Sequence, residues 1–211
     1  MARADKFIHM DDVAFTKKDW RSRNRIKLNN GPHWLSVPIV RQPLGTQIRE
    51  MEVNYSTQWV RKHLGNIESA YRDAPYFDVL AAAVFPILEK RFRKLVDLNI
   101  SLVEALMIVL EIDTPSEYSS NLCVEFSGKS DRVLQICHKV EADTLYDGST
   151  AKDFIDLAAF ESEGVSVVFQ EYQHPVYPQG KGSFLSHLSV VDLIAHTGPA
   201  AGALLRDGGG G

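Results

Sequence analysis

The fold class is decided by residues 132–146, which read RVLQICHKVEADTLY. Residues 132–140 place four apolar side chains on one face of a helix, namely Val133, Ile136, Cys137 and Val140. This spacing predicts a helix with one apolar face. Residues 142–146 then predict a strand that enters a polar turn at residues 147–149. A helix that delivers a strand in this way is typical of an α/β fold.

Strands are also predicted on both sides of this stretch. Residues 165–169, VSVVF, form a β-branched run, and Phe7–Met10 is a shorter apolar run. Residues 35–39 are a further candidate, which Pro38 assigns to a sheet edge or strand end because proline lacks the ladder N–H. Together these patterns predict an α/β fold with a mainly parallel sheet covered by helices, and ligands gather beyond the carboxyl ends of such strands.

The middle of the chain predicts helices. Apolar and aromatic side chains, with His63 among them, recur at three- and four-residue spacing from Trp59 to Tyr71, with Asn54 or Ser56 as the expected N-cap. Residues 77–98 are expected to be mostly helical. Ser101 and Glu104 have capping-box spacing for a helix that runs to about residue 110. The α/β fold is therefore expected to have a helical middle segment.

Composition limits the organisation of the chain and its binding partners. The 211 residues, 45% of them apolar, suit a single domain over residues 1–207, followed by a flexible glycine tail at residues 208–211. Lysine and arginine total 23 against 27 acidic residues, for a net charge of −4. This balance argues against nucleic acid as the partner, because such proteins carry a basic field.

The sequence predicts neither a membrane span nor a disulfide framework. The longest apolar run, residues 79–88, is too short to cross a bilayer and contains Pro86. Cys123 and Cys137 are the two cysteines, and they lack the C-x-x-C spacing of a structural zinc site. These features predict a cytoplasmic protein.

A basic block near the N-terminus is the best candidate for a binding site. Arg21, Arg23 and Arg25 alternate, so an extended backbone would place three guanidinium groups on one face. Such a face forks onto a diphosphate or carboxylate. The alternative is a solvated loop or edge strand with ordinary surface charges. Trp20 and Asn24 in the same block favour binding.

His63 is the candidate general base, because imidazole titrates near neutral pH. It shares a helix face with Trp59 and Ile67, so it is expected to point toward the protein. Lys62 is adjacent and is the second catalytic candidate. The alternative for His63 is a histidine at the edge of the core with one hydrogen bond.

Asp12 and the pair Ser119-Ser120 are candidates for substrate contact. Asp11 and Asp12 follow a predicted strand on opposite faces, so one of them at most enters a cleft, and a turn or cap role is the alternative. The two serines lack a G-x-S-x-G context, so hydrogen bonding to substrate or backbone is favoured over nucleophilic catalysis.

His174 and Tyr177 follow the strongest predicted strand, which favours a loop near the ligand. The alternative is that Pro175 merely fixes the loop. The histidines of the chain show neither H-x-H nor H-E-x-x-H spacing, and G-x-G-x-x-G and P-loop motifs are absent. The sequence therefore predicts no metal and no cofactor.

Five blocks of residues follow one another along the chain. They are Asp11-Asp12-Val13 with residues 19–27 and 34–38; Trp59-x-x-Lys62-His63 with Ala70-Tyr71-x-x-Ala74-Pro75-Tyr76-Phe77; Ser119-Ser120-x-Leu122; Gly148 with Lys152-Asp153-Phe154; and His174-Pro175-x-Tyr177-x-Gln179 leading to Leu188-Ser189-x-x-Asp192-Leu193. In this order they resemble the WbqC-like family, and the resemblance covers nearly the whole chain. It adds Tyr71, Lys152, Asp153 and Gln179 to the substrate-binding candidates.

Two departures from the family pattern affect this expectation. Family members usually begin with an additional strand and a Gln-Pro-x-Tyr-x-Pro-Trp-like turn, and this chain is expected to start after them. The family also favours a Ser-Gly-x-Gly-Gly-like loop where this chain has residues 147–151, DGSTA. Asp147 would repel an anion that a glycine-rich loop attracts.

The resemblance implies a bacterial protein linked to O-antigen, lipopolysaccharide or other surface-polysaccharide gene clusters, with glycyl or other aminoacyl transfer to a sugar in some members. The leading hypothesis is a transferase that binds an anionic, nucleotide-linked amino sugar and acylates its amine. A nucleotidyltransferase-like enzyme and a non-catalytic binding or assembly protein are the alternatives. The acceptor sugar, the donor and the oligomeric state are left open.

Overall fold

The computed structural model describes residues 1–29, 31–180 and 182–208, and these divide into two compact units. The first unit contains residues 1–10, 114–173 and 207–208. The second contains Asp11–Asp113 and His174–Arg206. The single domain over residues 1–207 stays a prediction, and the predicted glycine tail lies outside the described residues from residue 209 onward.

The described residues form short strands and longer helices. The strands are β1 (Phe7–His9), β2 (Arg23–Leu28), β3 (Gly31–Ser36), β4 (Ser116–Tyr118), β5 (Thr144–Gly148) and β6 (Ser166–Gln170). The α-helices are α1 (Trp59–Tyr71), α2 (Phe77–Glu89), α3 (Leu95–Val109), α4 (Ser119–Leu122), α5 (Lys129–Lys139), α6 (Leu157–Ser162), α7 (Val190–Thr197) and α8 (Ala201–Asp207). Short 3-10 helices occupy Ile48–Glu50, Ser149–Asp153 and Gly198–Ala200.

The first unit contains the parallel strands. β1 pairs with β4, and β5 pairs with β6, so two of the three strand pairs in the described part of the chain are parallel. The β5–β6 connection runs through α6, whose N-cap Asp156 accepts a hydrogen bond from the Ala159 N–H at 3.2 Å. Leu134, Phe160 and Val165 form part of its buried core. The predicted α/β class with parallel pairing is confirmed.

The second unit is a helical body with one antiparallel hairpin, β2–β3. In α1, the buried residues Trp59, His63, Ile67 and Tyr71 recur every four positions, as the sequence predicts. α2, α3 and α7 add further fully buried apolar side chains to the same core. They include Leu80, Leu95, Leu98 and Ile194. The predicted helical middle segment is confirmed.

Three helix boundaries differ from the sequence prediction. The helix expected over residues 77–98 is broken at residues 90–94. There the Val53 N–H donates to the Arg93 carbonyl at 3.0 Å, and Lys94 forms an antiparallel bridge with Glu52. The predicted capping box at Ser101 and Glu104 is wrong, since both residues lie inside α3. The N-cap of α1 is Gln58, because the Asn54 side chain instead closes a local turn.

Among the described residues, the structure contains no helix that is both long and apolar enough to cross a bilayer.

Candidate functional site

The outer face of the β2–β3 hairpin carries a row of basic side chains. Arg23, Arg25 and Lys27 occupy alternate positions of β2, so their side chains leave the strand on the same side. Trp34 lies directly opposite Arg25 in the register of the two strands. Two of the three predicted arginines, Arg23 and Arg25, therefore share one side of the strand, and Lys27 is the third cation on that side.

Two exposed tryptophans complete this face. The guanidinium carbon of Arg23 lies 4.0 Å from the centroid of Trp34, and that of Arg25 lies 5.4 Å from Trp34 and 5.5 Å from Trp20. The centroids of the two indole rings are 5.3 Å apart. Trp20 is 57% exposed and Trp34 39% exposed. We call Trp20, Arg23, Arg25 and Trp34 the arginine–tryptophan surface.

The positive charge of this surface is not neutralised by the protein. Neither Arg23 nor Arg25 pairs with a carboxylate in the described part of the chain, and their Nε atoms are buried without a hydrogen-bond partner there. The Nη2 group of Arg25 donates to the His187 carbonyl at 2.9 Å. Guanidinium groups stacked on aromatic rings keep their N–H edges directed outward for a planar anion.

Arg21 and Asn24 differ from this row. Arg21 precedes β2 and forms an ion pair with Asp19, while its carbonyl accepts from the Asn99 side chain at 2.8 Å. Asn24 alternates with the row, and its Oδ1 accepts from the Arg25 backbone N–H at 2.8 Å. The ion pair with Asp19 leaves Arg21 with less charge to offer a ligand than Arg23.

The segment that follows β6 folds against the same strand. Lys27 Nζ donates to the Ser183 carbonyl at 2.8 Å and lies 3.4 Å from the Gln179 carbonyl. The buried Gln179 side chain makes two hydrogen bonds of 2.7 Å with the backbone of Leu185. Gln179 therefore braces its own loop, and Lys27 holds that loop on β2.

Four aromatic rings from this segment form a second group beside Arg25. His174 lies 5.3 Å from His187, 6.1 Å from Tyr177 and 5.8 Å from Phe184, measured between ring centroids. His187 is exposed and has a φ of 58°, which is uncommon for a residue other than glycine. We call His174, Tyr177, Phe184 and His187 the histidine–tyrosine cluster. The Arg25–His187 hydrogen bond joins it to the arginine–tryptophan surface.

Beneath this cluster lies a fully buried carboxyl group. The Tyr177 hydroxyl donates to Asp192 Oδ2 at 2.8 Å, while Asp192 Oδ1 has no hydrogen-bond partner among the described residues. Tyr71 is also buried, and its hydroxyl accepts from the Lys27 backbone N–H at 3.3 Å. Burial and the nearby Asp192 raise the pKa of Tyr71. Tyr71 and Tyr177 therefore face the protein interior.

Asp192 is absent from the candidates that the sequence analysis names. It belongs to the last block of the family resemblance and lies in the first turn of α7. An acidic residue there is ordinary, because carboxylates stabilise helix N-termini. The signal that would have identified it is its position between Val191 and Leu193 on a helix that is apolar on every side.

His63 and Lys62 lie on α1 and differ in exposure. His63 is 7% exposed, and its ring packs edge-on against Trp59 at 5.0 Å. Burial lowers the pKa of His63 to about 4, although a hydrogen bond with the Ser36 backbone opposes the shift. Lys62 is exposed. A buried imidazole with this pKa is neutral and weakly basic at pH 7.

The remaining candidates divide between the two units. Asp12 belongs to the second unit and is half-buried. Ser119 and Ser120 begin α4 of the first unit, where Ser119 is buried. Lys152 and Asp153 end the 3-10 helix after β5, also in the first unit, and both are exposed. Within that unit, Lys152 Nζ lies 3.8 Å from Glu171.

No group of three or more histidine, cysteine, aspartate or glutamate side chains in the described ranges is arranged to hold a metal ion. The arginine–tryptophan surface itself offers hydrogen bonding, positive charge and aromatic stacking.

Comparison with known proteins gives a family but no assigned activity. Residues 1–203 match the WbqC-like protein family. The chain is 32% identical over 209 residues to the uncharacterized protein Rv1507c of Mycobacterium tuberculosis, an alignment that covers 98% of this chain and 90% of that protein. No solved structure matches the chain.

Proposed function

The chain belongs to the WbqC-like protein family, and from that premise we propose that it is a transferase of bacterial surface-polysaccharide synthesis. We propose that it binds an anionic, nucleotide-linked amino sugar on the arginine–tryptophan surface and transfers an acyl or aminoacyl group to the sugar amine. The single observation that supports this most is Arg23, which stacks 4.0 Å over Trp34 and has no carboxylate partner among the described residues.

The charge of the surface fits a phosphorylated ligand. A phosphate or diphosphate accepts hydrogen bonds from two guanidinium groups in parallel, and such charge-assisted pairs are about twice as strong as neutral ones. Arg23 and Arg25 are two positions apart on the same strand face, so one diphosphate can meet both. Trp20 and Trp34 offer exposed rings beside those charges.

The proposed reaction forms one bond and breaks one. The amine nitrogen attacks the carbonyl carbon of an activated acyl donor, such as a thioester or an aminoacyl ester, and the C–N bond forms. The bond from that carbon to sulfur or oxygen breaks, and the leaving thiol or alcohol takes up a proton. A base must accept the proton that the amine loses.

We assign the base to His187. Its imidazole is exposed, its carbonyl holds Arg25, and its Nδ1 lies 2.8 Å from the Ser186 hydroxyl. His63 and Lys62 stay predictions for this role. Because burial lowers the pKa of His63 to about 4, it accepts a proton less readily at neutral pH than an ordinary histidine.

Calorimetric titration of the full chain with UDP-glucosamine tests the binding part of the proposal. Arg23→Ala should weaken binding about 10- to 150-fold, from the roughly 1.5–3 kcal/mol of a hydrogen bond to a charged group. Arg61→Ala removes an exposed arginine on α1 and is the matched control, which should bind as the wild type does. Equal affinities for all three proteins would reject the arginine–tryptophan surface as the binding site.

Mass spectrometry of the sugar after incubation with thioester and aminoacyl donors tests the transfer part. An amide product that is lost on His187→Ala but retained on His63→Gln supports the assigned base. Binding without product from any donor would favour a non-catalytic binding protein. Retained activity in His187→Ala would reject His187 as the base.

A further inference from the structure

The arginine–tryptophan surface contains a ring that a phosphate group alone leaves unused. Trp20 is 57% exposed, although burying a large apolar side chain stabilises a protein by about 1.5–3 kcal/mol. Its ring centroid lies 5.3 Å from that of Trp34 and 5.5 Å from the guanidinium carbon of Arg25. A large aromatic side chain kept on the surface beside unpaired arginines is typical of a ligand-binding position.

The backbone around Trp20 is fixed before any ligand arrives. The Ser22 N–H bonds the Asp19 carbonyl at 3.2 Å across the turn that carries Trp20. The Asp19–Arg21 ion pair and the Asn99 hydrogen bond to the Arg21 carbonyl hold the same turn. A preorganised turn reduces the ordering cost that a ligand must overcome.

From this arrangement we infer that Trp20 is the stacking position for the base of a nucleoside diphosphate whose phosphates bind Arg23 and Arg25. The inference rests on the proposed function, which requires an anionic ligand on this surface, and it names which part of that ligand covers the indole ring. A flat indole ring fits a flat heterocycle, and stacking of a base on an aromatic side chain tolerates every base because each has a π-face.

The distances between these groups place Trp20 next to the arginines that would hold the diphosphate. The Arg25 guanidinium carbon lies 5.5 Å from the Trp20 ring centroid and 5.4 Å from that of Trp34, and the Arg23 guanidinium carbon lies 4.0 Å from Trp34. A base stacked on Trp20 is therefore adjacent to phosphates that Arg25 and Arg23 bind.

The test compares UDP, inorganic diphosphate and glucosamine 1-phosphate as calorimetric ligands for the full chain. UDP should bind more tightly than inorganic diphosphate, by about 5- to 150-fold, which is the range expected for one stacked base. Trp20→Ala should remove that advantage, so that this variant binds UDP and inorganic diphosphate about equally. Trp20→Phe should restore much of it, since a phenyl ring still stacks. Thermal unfolding of each variant checks that the fold is intact.

The outcomes separate this inference from the proposed function. If UDP and diphosphate bind equally and Trp20→Ala changes neither, the stacking inference is wrong while anion binding stands. If Trp20→Ala weakens glucosamine 1-phosphate but not UDP, the sugar occupies Trp20 and the inference is overturned. If no phosphorylated ligand binds, both the inference and the proposed function fail.

Discussion

Tyr177→Phe removes a hydrogen bond to a fully buried carboxyl group. The Tyr177 hydroxyl donates to Asp192 Oδ2 at 2.8 Å, and Asp192 Oδ1 has no partner among the described residues. Removal of one partner of a buried hydrogen bond leaves the other partner unsatisfied, which costs about 1–3 kcal/mol. We therefore expect Tyr177→Phe to lower the free energy of unfolding by about 2–3 kcal/mol.

Urea unfolding followed by circular dichroism measures this loss, with Tyr55→Phe as the matched control. The Tyr55 hydroxyl donates to the Phe92 carbonyl at 3.1 Å in a hydrogen bond that is only partly buried, so the same oxygen is removed and the expected loss is about 0.5–1.5 kcal/mol. Asp192→Asn combined with Tyr177→Phe should lose less than the sum of the single variants, because the two side chains share one interaction. A loss for Tyr177→Phe no larger than that for Tyr55→Phe would refute the reasoning.

Three further predictions concern burial and backbone strain. Because burial lowers the pKa of His63 to about 4, its ring protonates more readily in the unfolded chain, so stability should fall as the pH drops from about 6.5 to 4 by up to about 3 kcal/mol. His63→Gln should remove that part of the pH dependence in unfolding curves, and an unchanged curve would contradict it. Gly198→Ala should lower the melting temperature of the protein more than Gly164→Ala does. Both glycines have a positive φ, but only a Cβ at position 198 would overlap the ring of Tyr76. A maleimide should label exposed Cys123 at once and Cys137 only after unfolding, since burial also raises the pKa of the Cys137 thiol; intact-mass spectrometry that finds equal labelling rates would count against this.

The fold class could be predicted because local patterns and tertiary packing agree in most of the chain. The helical spacing predicted from Trp59 onward includes the buried residues of α1, and the parallel β5–β6 pair follows the predicted alternation of strands and helices. The strand β4, which pairs with β1, was not predicted. The break between α2 and α3 could not be predicted. It depends on backbone pairing of residues 93–95 with residues 51–53, which lie far away in the sequence.

The candidate site was predictable where it depends on alternation within one strand. Arg23 and Arg25 share a face because β2 is extended, whereas Arg21 falls in the preceding turn, where Asp19 pairs with it. The roles of Tyr71 and Tyr177 could not be predicted. The sequence of the motif is the same whether its tyrosine faces a ligand or a buried carboxyl group. Their partners come from β2 and α7, and sequence spacing does not report such contacts.

The three cationic side chains of β2 differ in how many of their N–H donors are already hydrogen-bonded to the protein. Lys27 donates to the Ser183 carbonyl and lies close to the Gln179 carbonyl, and Arg25 donates one of its five N–H groups to the His187 carbonyl. Arg23 makes no side-chain hydrogen bond to any described residue and contacts Trp34 by stacking. Since a backbone carbonyl competes with an anion for the same donors, the attraction for an anion rises from Lys27 toward Arg23. A phosphorylated ligand should therefore concentrate its charge at the start of β2, where Arg23 stacks on Trp34, and leave the Lys27 contacts that hold the histidine–tyrosine cluster in place.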